Sequence, residues 1–388
     1  MRKNVKQQFA LRVLSTAALM AMVSSIATAA FADTYDLNKG SVTVETKEDG
    51  FTYVTQLDNT QTDGYARNDK DDILHDYQDK TGVTITSNGE KTSNTITVET
   101  AKDQTTDVTL DKVHIEVDTS EAKSGAIEIK GDGNTNLELN GDNTVLTENQ
   151  WHEEHAAIEK ADAYGTGTLT IKDDLNDKGE EKTGTDEDST LVAGGFHQAA
   201  AIGGGKGEDL RDTSNITITG GKITAIGGND GAAAIGGGYD GTGKNIRIEG
   251  NAHVIAAAGE GAAIGGGTGS GNSVTITDDA VVKAYSAYDA AIGGGDSEGR
   301  LNSPSTITIS GNATVHAETS QGGCAIGSGR YGSCSDLTIN IEKNADVTAI
   351  GSSDAPPYSS YSNPILYEKG FGCVFCLSEV LRKDYTEH

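Results

Sequence analysis

A five-residue segment, Ala-Ile-Gly-Gly-Gly, begins at Ala201, Ala234, Ala263 and Ala291 and returns as Ala-Ile-Gly-Ser-Gly at Ala325. Its isoleucines, Ile202, Ile235, Ile264, Ile292 and Ile326, are separated by 33, 29, 28 and 34 residues. Repetition at such a period restricts a chain to stacked units that each bury their apolar face against the next. Between these marks a second block recurs. It reads Ile216-Thr-Ile-Thr-Gly-Gly, Ile246-Arg-Ile-Glu-Gly-Asn, Val274-Thr-Ile-Thr-Asp-Asp and Ile307-Thr-Ile-Ser-Gly-Asn, with Leu137-Glu-Leu-Asn-Gly-Asp upstream. Weaker forms of the first mark are Ala126-Ile127 and Ala157-Ile158, each followed by Glu.

The unit reads as strand, corner, strand, loop, short strand. Apolar residues alternate with Thr, Arg or Glu at the period of two that marks a strand with one buried face. The Gly-Asn, Gly-Gly or Asp-Asp pair is a corner, because these residues accept unusual backbone angles or bond their own backbone. Beyond it Ala252, Val254 and Ala256, or Ala313, Val315 and Ala317, point inward again. One such unit is one coil of an all-β, right-handed parallel β-helix, the hand following from the general preference of parallel crossovers. About nine coils fit between Val83 and Ile350, a rod about 40 Å long at the spacing of adjacent strands. A β-sandwich or propeller is disfavoured, since propeller blades need longer units of four strands and the turns lack hairpin signals.

The ladder divides the chain. Residues 1–32 have a basic start (Arg2, Lys3, Lys6, Arg12), an apolar run and Ala30-Phe-Ala32, the pattern of a secretory signal peptide. Residues 33–82 form an N-terminal cap region, 83–351 the β-helix, and 352–388 a linker and an unassigned tail. A secreted or cell-surface location is expected, with no transmembrane segment after signal removal. The chain has 58 acidic against 30 basic residues, a net charge of −28. Such a surface repels nucleic acid and anionic membranes. Fifty Gly and a hydrophobic fraction of 35% fit a narrow interior with many tight corners. Of the four cysteines, Cys324 and Cys334 fall within one repeat and could close a small loop.

With these repeats laid out, the Gly-Ala-Ala-Ile-Gly-Gly-Gly form (Gly261 to Gly267) resembles the repeats of large secreted proteins of Gram-positive gut bacteria, described as carbohydrate-binding or adhesin-like β-helix proteins. The likeness covers about Ala126 to Ile350. It implies a surface binding function, carries over no catalytic residue, and does not extend to wall anchoring, since no Leu-Pro-x-Thr-Gly motif is present.

The residues themselves give candidate sites. Lys206, Tyr239, Thr268, Asp296 and Arg330 directly follow the glycine triplets and so fall in one column across successive coils, flanked by bare backbone. Varied side chains on a regular lattice suit a binding strip. Trp151, the sole Trp, stands beside His152, Glu153, Glu154 and His155 and could stack on a sugar ring. The spacing of the two histidines is not that of a zinc-protease helix. Calcium is the expected cofactor if there is one. Asp132, Asn134, Asp230 and Asp240 put oxygen ligands in turns, without the full EF-hand pattern. The paired carboxylates Asp173-Asp174 and Asp278-Asp279 occupy corner positions, so no catalytic residue is assigned. The expected function is non-enzymatic carbohydrate binding. Its alternatives are a structural or adhesin-like role on protein partners and, second, a polysaccharide lyase or glycoside hydrolase.

Overall fold

The computed structural model describes residues 33–57, 73–79, 82–148, 154–176, 179–183, 186–269, 273–295, 305–330, 337–342, 344–351 and 379–381. Three sheets run the length of the molecule, and the chain visits them in turn, so that each strand pairs with its counterpart one coil away. The molecule is a parallel β-helix.

The first sheet is built from the Ile-x-Ile strands, and its 11 strands include Asn134–Asn140, Thr213–Ile218, Gly243–Ile248 and Ser273–Ile276. Its register is regular: Ile216 pairs with Ile246, Ile246 with Val274, and Val274 with Ile307. The second sheet holds nine strands from beyond the corner, among them His253–Ala258 and Val281–Ser286. The third sheet is made of the Ala-Ile-Gly segments, whose strands are as short as two residues. Complete sets of three strands run from Val83–Thr86, Lys91–Thr92 and Ile96–Thr100 to Ser305–Ile309, Thr314–Thr319 and Ile326–Gly327.

The expected single file of isoleucines is present. Ile202, Ile235, Ile264, Ile292 and Ile326 pair rung upon rung, and the file continues upstream through Ile158, Ile127 and Ile96 to Val42. Every one of these side chains is buried. A two-residue strand holds because it is paired on both sides and packed from within. Glycine is demanded by the backbone here. Gly236 sits at φ +141°, and a Cβ on it would fall 1.8 Å from the Gly265 carbonyl oxygen. Corners are closed by side chains as anticipated: Asp278 Oδ2 accepts from the Gly250 amide at 3.1 Å, and Asp279 Oδ1 from Asn312 Nδ2 at 3.0 Å. Asp173 accepts from Lys182 Nζ at 2.6 Å and from the Ser189 amide at 2.9 Å.

The helix starts earlier than Val83. Asp33–Asp36 pairs in parallel with Val83–Thr86, and Val42–Thr46 with Ile96–Thr100. The Val42-Thr-Val alternation supplies the same inward face as a repeat, so the segment read as a cap joins the ladders. An antiparallel pair, Thr52–Leu57 and Ile73–Asp79, extends the third sheet beyond Val42–Thr46 and occupies its edge. At the far end Glu379–Leu381 pairs with residues 338–340 in the first sheet, so part of the tail joins the solenoid. Residues 1–32, together with Trp151, Asp296 and Cys334, lie outside the described residues. Among those described, no helix is long and apolar enough to cross a membrane.

Candidate functional site

The third sheet is so narrow that the loop entering each Ala-Ile-Gly strand and the loop leaving it lie side by side on one edge of the rod. The last glycines of the triplets stack directly: a Cβ on Gly238 would fall 1.9 Å from the Gly205 carbonyl oxygen, and one on Gly267 the same distance from that of Gly238. The next residues, Lys206, Tyr239 and Thr268, therefore form one file, and Arg330 follows Gly329, which meets Gly295 in the same way. Tyr239 is exposed; Lys206, Thr268 and Arg330 are half-buried.

The entering loops lie beside the file: the Tyr239 amide donates to the Gln198 carbonyl at 3.0 Å and the Thr268 amide to that of Gly231 at 2.8 Å. Phe196 is exposed beside His197, and Tyr288 lies under the Arg330 guanidinium at 5.4 Å from its ring centre. Thr268 Oγ1 donates to Asp240 Oδ1 at 3.1 Å and accepts from the Asp240 amide at 2.8 Å, which ties two coils together.

Two buried carboxylates hold this edge, Glu154, read from the sequence only as a neighbour of Trp151, and Asp289, which sequence reasoning did not single out. Glu154 accepts from the Gln198 amide at 2.8 Å and lies 3.0 Å from His197 Nδ1 and 3.1 Å from Lys206 Nζ. Asp289 accepts from the amides of Gly261 (3.0 Å) and Arg330 (2.9 Å). Both are nearly fully enclosed, so they orient the strip from behind. In sequence they sit one or two residues before the Ala-Ala-Ile mark, the only hint of their place.

The four turn residues read as calcium ligands are distributed differently. Asp132 Oδ1 accepts from both the amide and the hydroxyl of Thr166 at 2.9 Å, which keeps its carboxyl below the usual range. Asn134 Oδ1 accepts from the Thr168 amide at 3.2 Å. Asp230 Oδ2 accepts from Gln198 Nε2 at 2.7 Å, and Asp240 is engaged by Thr268. Each links neighbouring coils. Among the described residues, the group of three carboxylate or imidazole donors that converges is a different one: Glu128, His155 and Glu159.

The ladder places that trio. Glu128 pairs with Glu159 on adjacent rungs, and Glu159 with Gly203 on the next. A family model described as a β-helix repeat matches residues 216–239 and 307–330. The chain is a β-helix protein. Each match spans a first-sheet strand, a corner, a second-sheet strand and the following Ala-Ile-Gly segment, ending at Tyr239 and Arg330 of the strip. No curated protein and no solved structure matches the chain.

Two further surfaces of this β-helix protein stand apart from the strip. The acidic insert after Asp173 folds back over the corner of the preceding coils and encloses a cleft of about 670 Å³ lined by Lys112, Asp142, Asn176, Lys182, Asp186 and Asp188, among others. On the outer face of the second sheet, Val192, Ile226 and Ile255 are 37%, 50% and 44% exposed on successive coils.

Proposed function

We propose that this protein is a secreted or cell-surface binding protein that recognises carbohydrate along the narrow edge of its β-helix, without turning it over. The observation that carries this reading is the file of Lys206, Tyr239, Thr268 and Arg330, set at rung spacing opposite Phe196 and Tyr288. The exposed rings of Tyr239 and Phe196 offer faces for sugar rings, while ammonium, guanidinium, hydroxyl and bare backbone groups offer hydrogen bonds to hydroxyls. From Lys206 to Arg330 the file spans four rung steps, about 19 Å, which suits an extended oligosaccharide better than a compact ligand. Export is supported by the leader sequence and by Cys324, which is disulfide-bonded.

Glycan-array binding by the mature protein tests the proposal. The expected outcome is a restricted set of glycans whose affinity falls at least tenfold in a Tyr239→Ala, Arg330→Ala double variant. Absence of any glycan binding overturns the ligand class, and product release from uronans incubated with the protein overturns the non-enzymatic reading.

A protein-binding adhesin is the second reading, and the Val192, Ile226 and Ile255 patch favours it. Bare aliphatic side chains on a flat face match protein partners better than sugars. Cell adhesion unaffected by Ile226→Asp would argue against that use of the patch.

A further inference from the structure

We infer that Glu128, His155 and Glu159 form a binding site for one divalent transition-metal ion of the zinc type, enclosed between the loop entering one coil and the third-sheet strands of two coils. The donor atoms of these three side chains all lie within 4.8 Å of one another. Zinc bonds to imidazole nitrogen and carboxylate oxygen are about 2.0–2.2 Å in a tetrahedral set, so two ligand atoms stand about 3.4 Å apart. His155 Nδ1 and Glu159 are 3.0 Å apart, so seating an ion among the three takes shifts on the order of an ångström.

Burial sets this group apart from ordinary surface acids. Glu159 is 0% exposed, Glu128 5% and His155 8%. Glu159 is held from several sides: His155 Nδ1 is 3.0 Å from both its oxygens, and the Ala156 amide donates to Oε2 at 2.9 Å. The Tyr164 hydroxyl approaches Glu128 Oε1 at 3.4 Å. Gly205 roofs the cluster, and a Cβ there would fall 2.7 Å from Glu159 Oε2. Glu128, His155 and the half-buried Lys130 are the members of this neighbourhood that reach solvent.

The fold itself does not require these groups. In the same ladder the next rung carries Gly203, and the stack continues through Gly236, Gly265, Gly293 and Gly327. Two carboxylates on adjacent rungs repel each other and lose hydration, a cost set against an ion pair with Lys130 (2.8 Å from Glu128), one imidazole and the Ala156 amide. A divalent cation would neutralise both carboxylates at once and release the Lys130 ammonium to solvent. One imidazole with two carboxylates suits zinc or manganese better than calcium, which takes six to eight oxygens. A structural ion would clamp two coils together and fix the loop that carries Glu154, and through it Lys206 of the strip.

The test uses the full mature chain, stripped with chelator and titrated with zinc, manganese and calcium by calorimetry, with metal content measured after dialysis. We expect one zinc per chain, bound at least 100-fold more tightly than calcium, with only nitrogen and oxygen in the absorption-edge first shell. Glu159→Gln and His155→Gln should each weaken binding by tenfold or more. Lys130→Ala, which removes the ammonium that competes for Glu128, should strengthen it. Binding of less than a tenth of an equivalent, sulfur in the shell, or an affinity untouched by all three substitutions would overturn the assignment.

Discussion

Single residues show where the repeat is bent to other ends. Lys160 follows Glu159 and is only 2% exposed. Its ammonium donates to the Gly165 carbonyl at 3.1 Å, yet burial draws its pKa below the usual lysine value despite the pull of Asp162 and Asp132. A lysine whose folded pKa is depressed is a cost at neutral pH. The cost is present in full below the folded value and disappears only as the pH rises past the unfolded one, near 10.5. Lys160→Met should therefore raise stability at pH 7 by about 1–2 kcal/mol, with the gap to wild type closing as the pH approaches 10. Urea midpoints at the two pH values check this. Glu116 behaves in the ordinary way, held low by Lys91 and then by His114.

At the level of elements, the load falls unevenly on the three sheets. First-sheet strands alternate cleanly, as in Val274 buried, Thr275 half-buried, Ile276 buried. The two-residue Ile-Gly strands of the third sheet give one isoleucine per coil, paired with its equivalents above and below. Ile264→Ala should cost about 2–5 kcal/mol, since the file cannot collapse around a lost side chain without moving both neighbouring rungs. Thr275→Ala, one strand on and facing out, should change stability by no more than about 0.5 kcal/mol. Chemical denaturation of the two variants side by side separates the cases. The strands and their inward faces were legible from alternation alone, because a period of two leaves little choice of face. The early start at Asp33 was less so: Val42-Thr-Val is one short alternation among polar residues, and only pairing with Ile96–Thr100 gives it a place. The antiparallel pair that follows has no counterpart in the repeat, so nothing periodic announced it.

For the molecule as a whole, stacking and charge pull against each other. Each coil contacts only its neighbours, while a net charge of −28 is distributed over all of them. Self-repulsion of that size should make stability rise with ionic strength. Going from low salt to about 0.5 M sodium chloride is expected to lift the thermal midpoint by roughly 2–4 °C, about 1 kcal/mol in a large chain. A midpoint that falls with salt would show specific ion pairs to outweigh the general field. Within that field Lys206 is held by Glu154 and the Arg330 guanidinium rests over Tyr288, so the strip keeps two cations on an acidic rod.

The strip was legible in advance because register is a matter of counting: residues after equivalent glycines must stack if the glycines do. The residues that steady it were not. Glu154 and Asp289 act through amides contributed by other coils, and the spacing of those partners in sequence, 44 residues for Gln198 and 28 for Gly261, follows loop length alone.

Sequence by itself determined the solenoid, its corners and the single isoleucine file, because a fixed period with one inward face admits one way to bury apolar surface. Tertiary structure alone decided which side chains meet across coils. Glu128 and Glu159 read as two weak repeat marks some thirty residues apart, and become neighbours, with His155 closing on them, only once the rungs are stacked and the entering loop is laid against them.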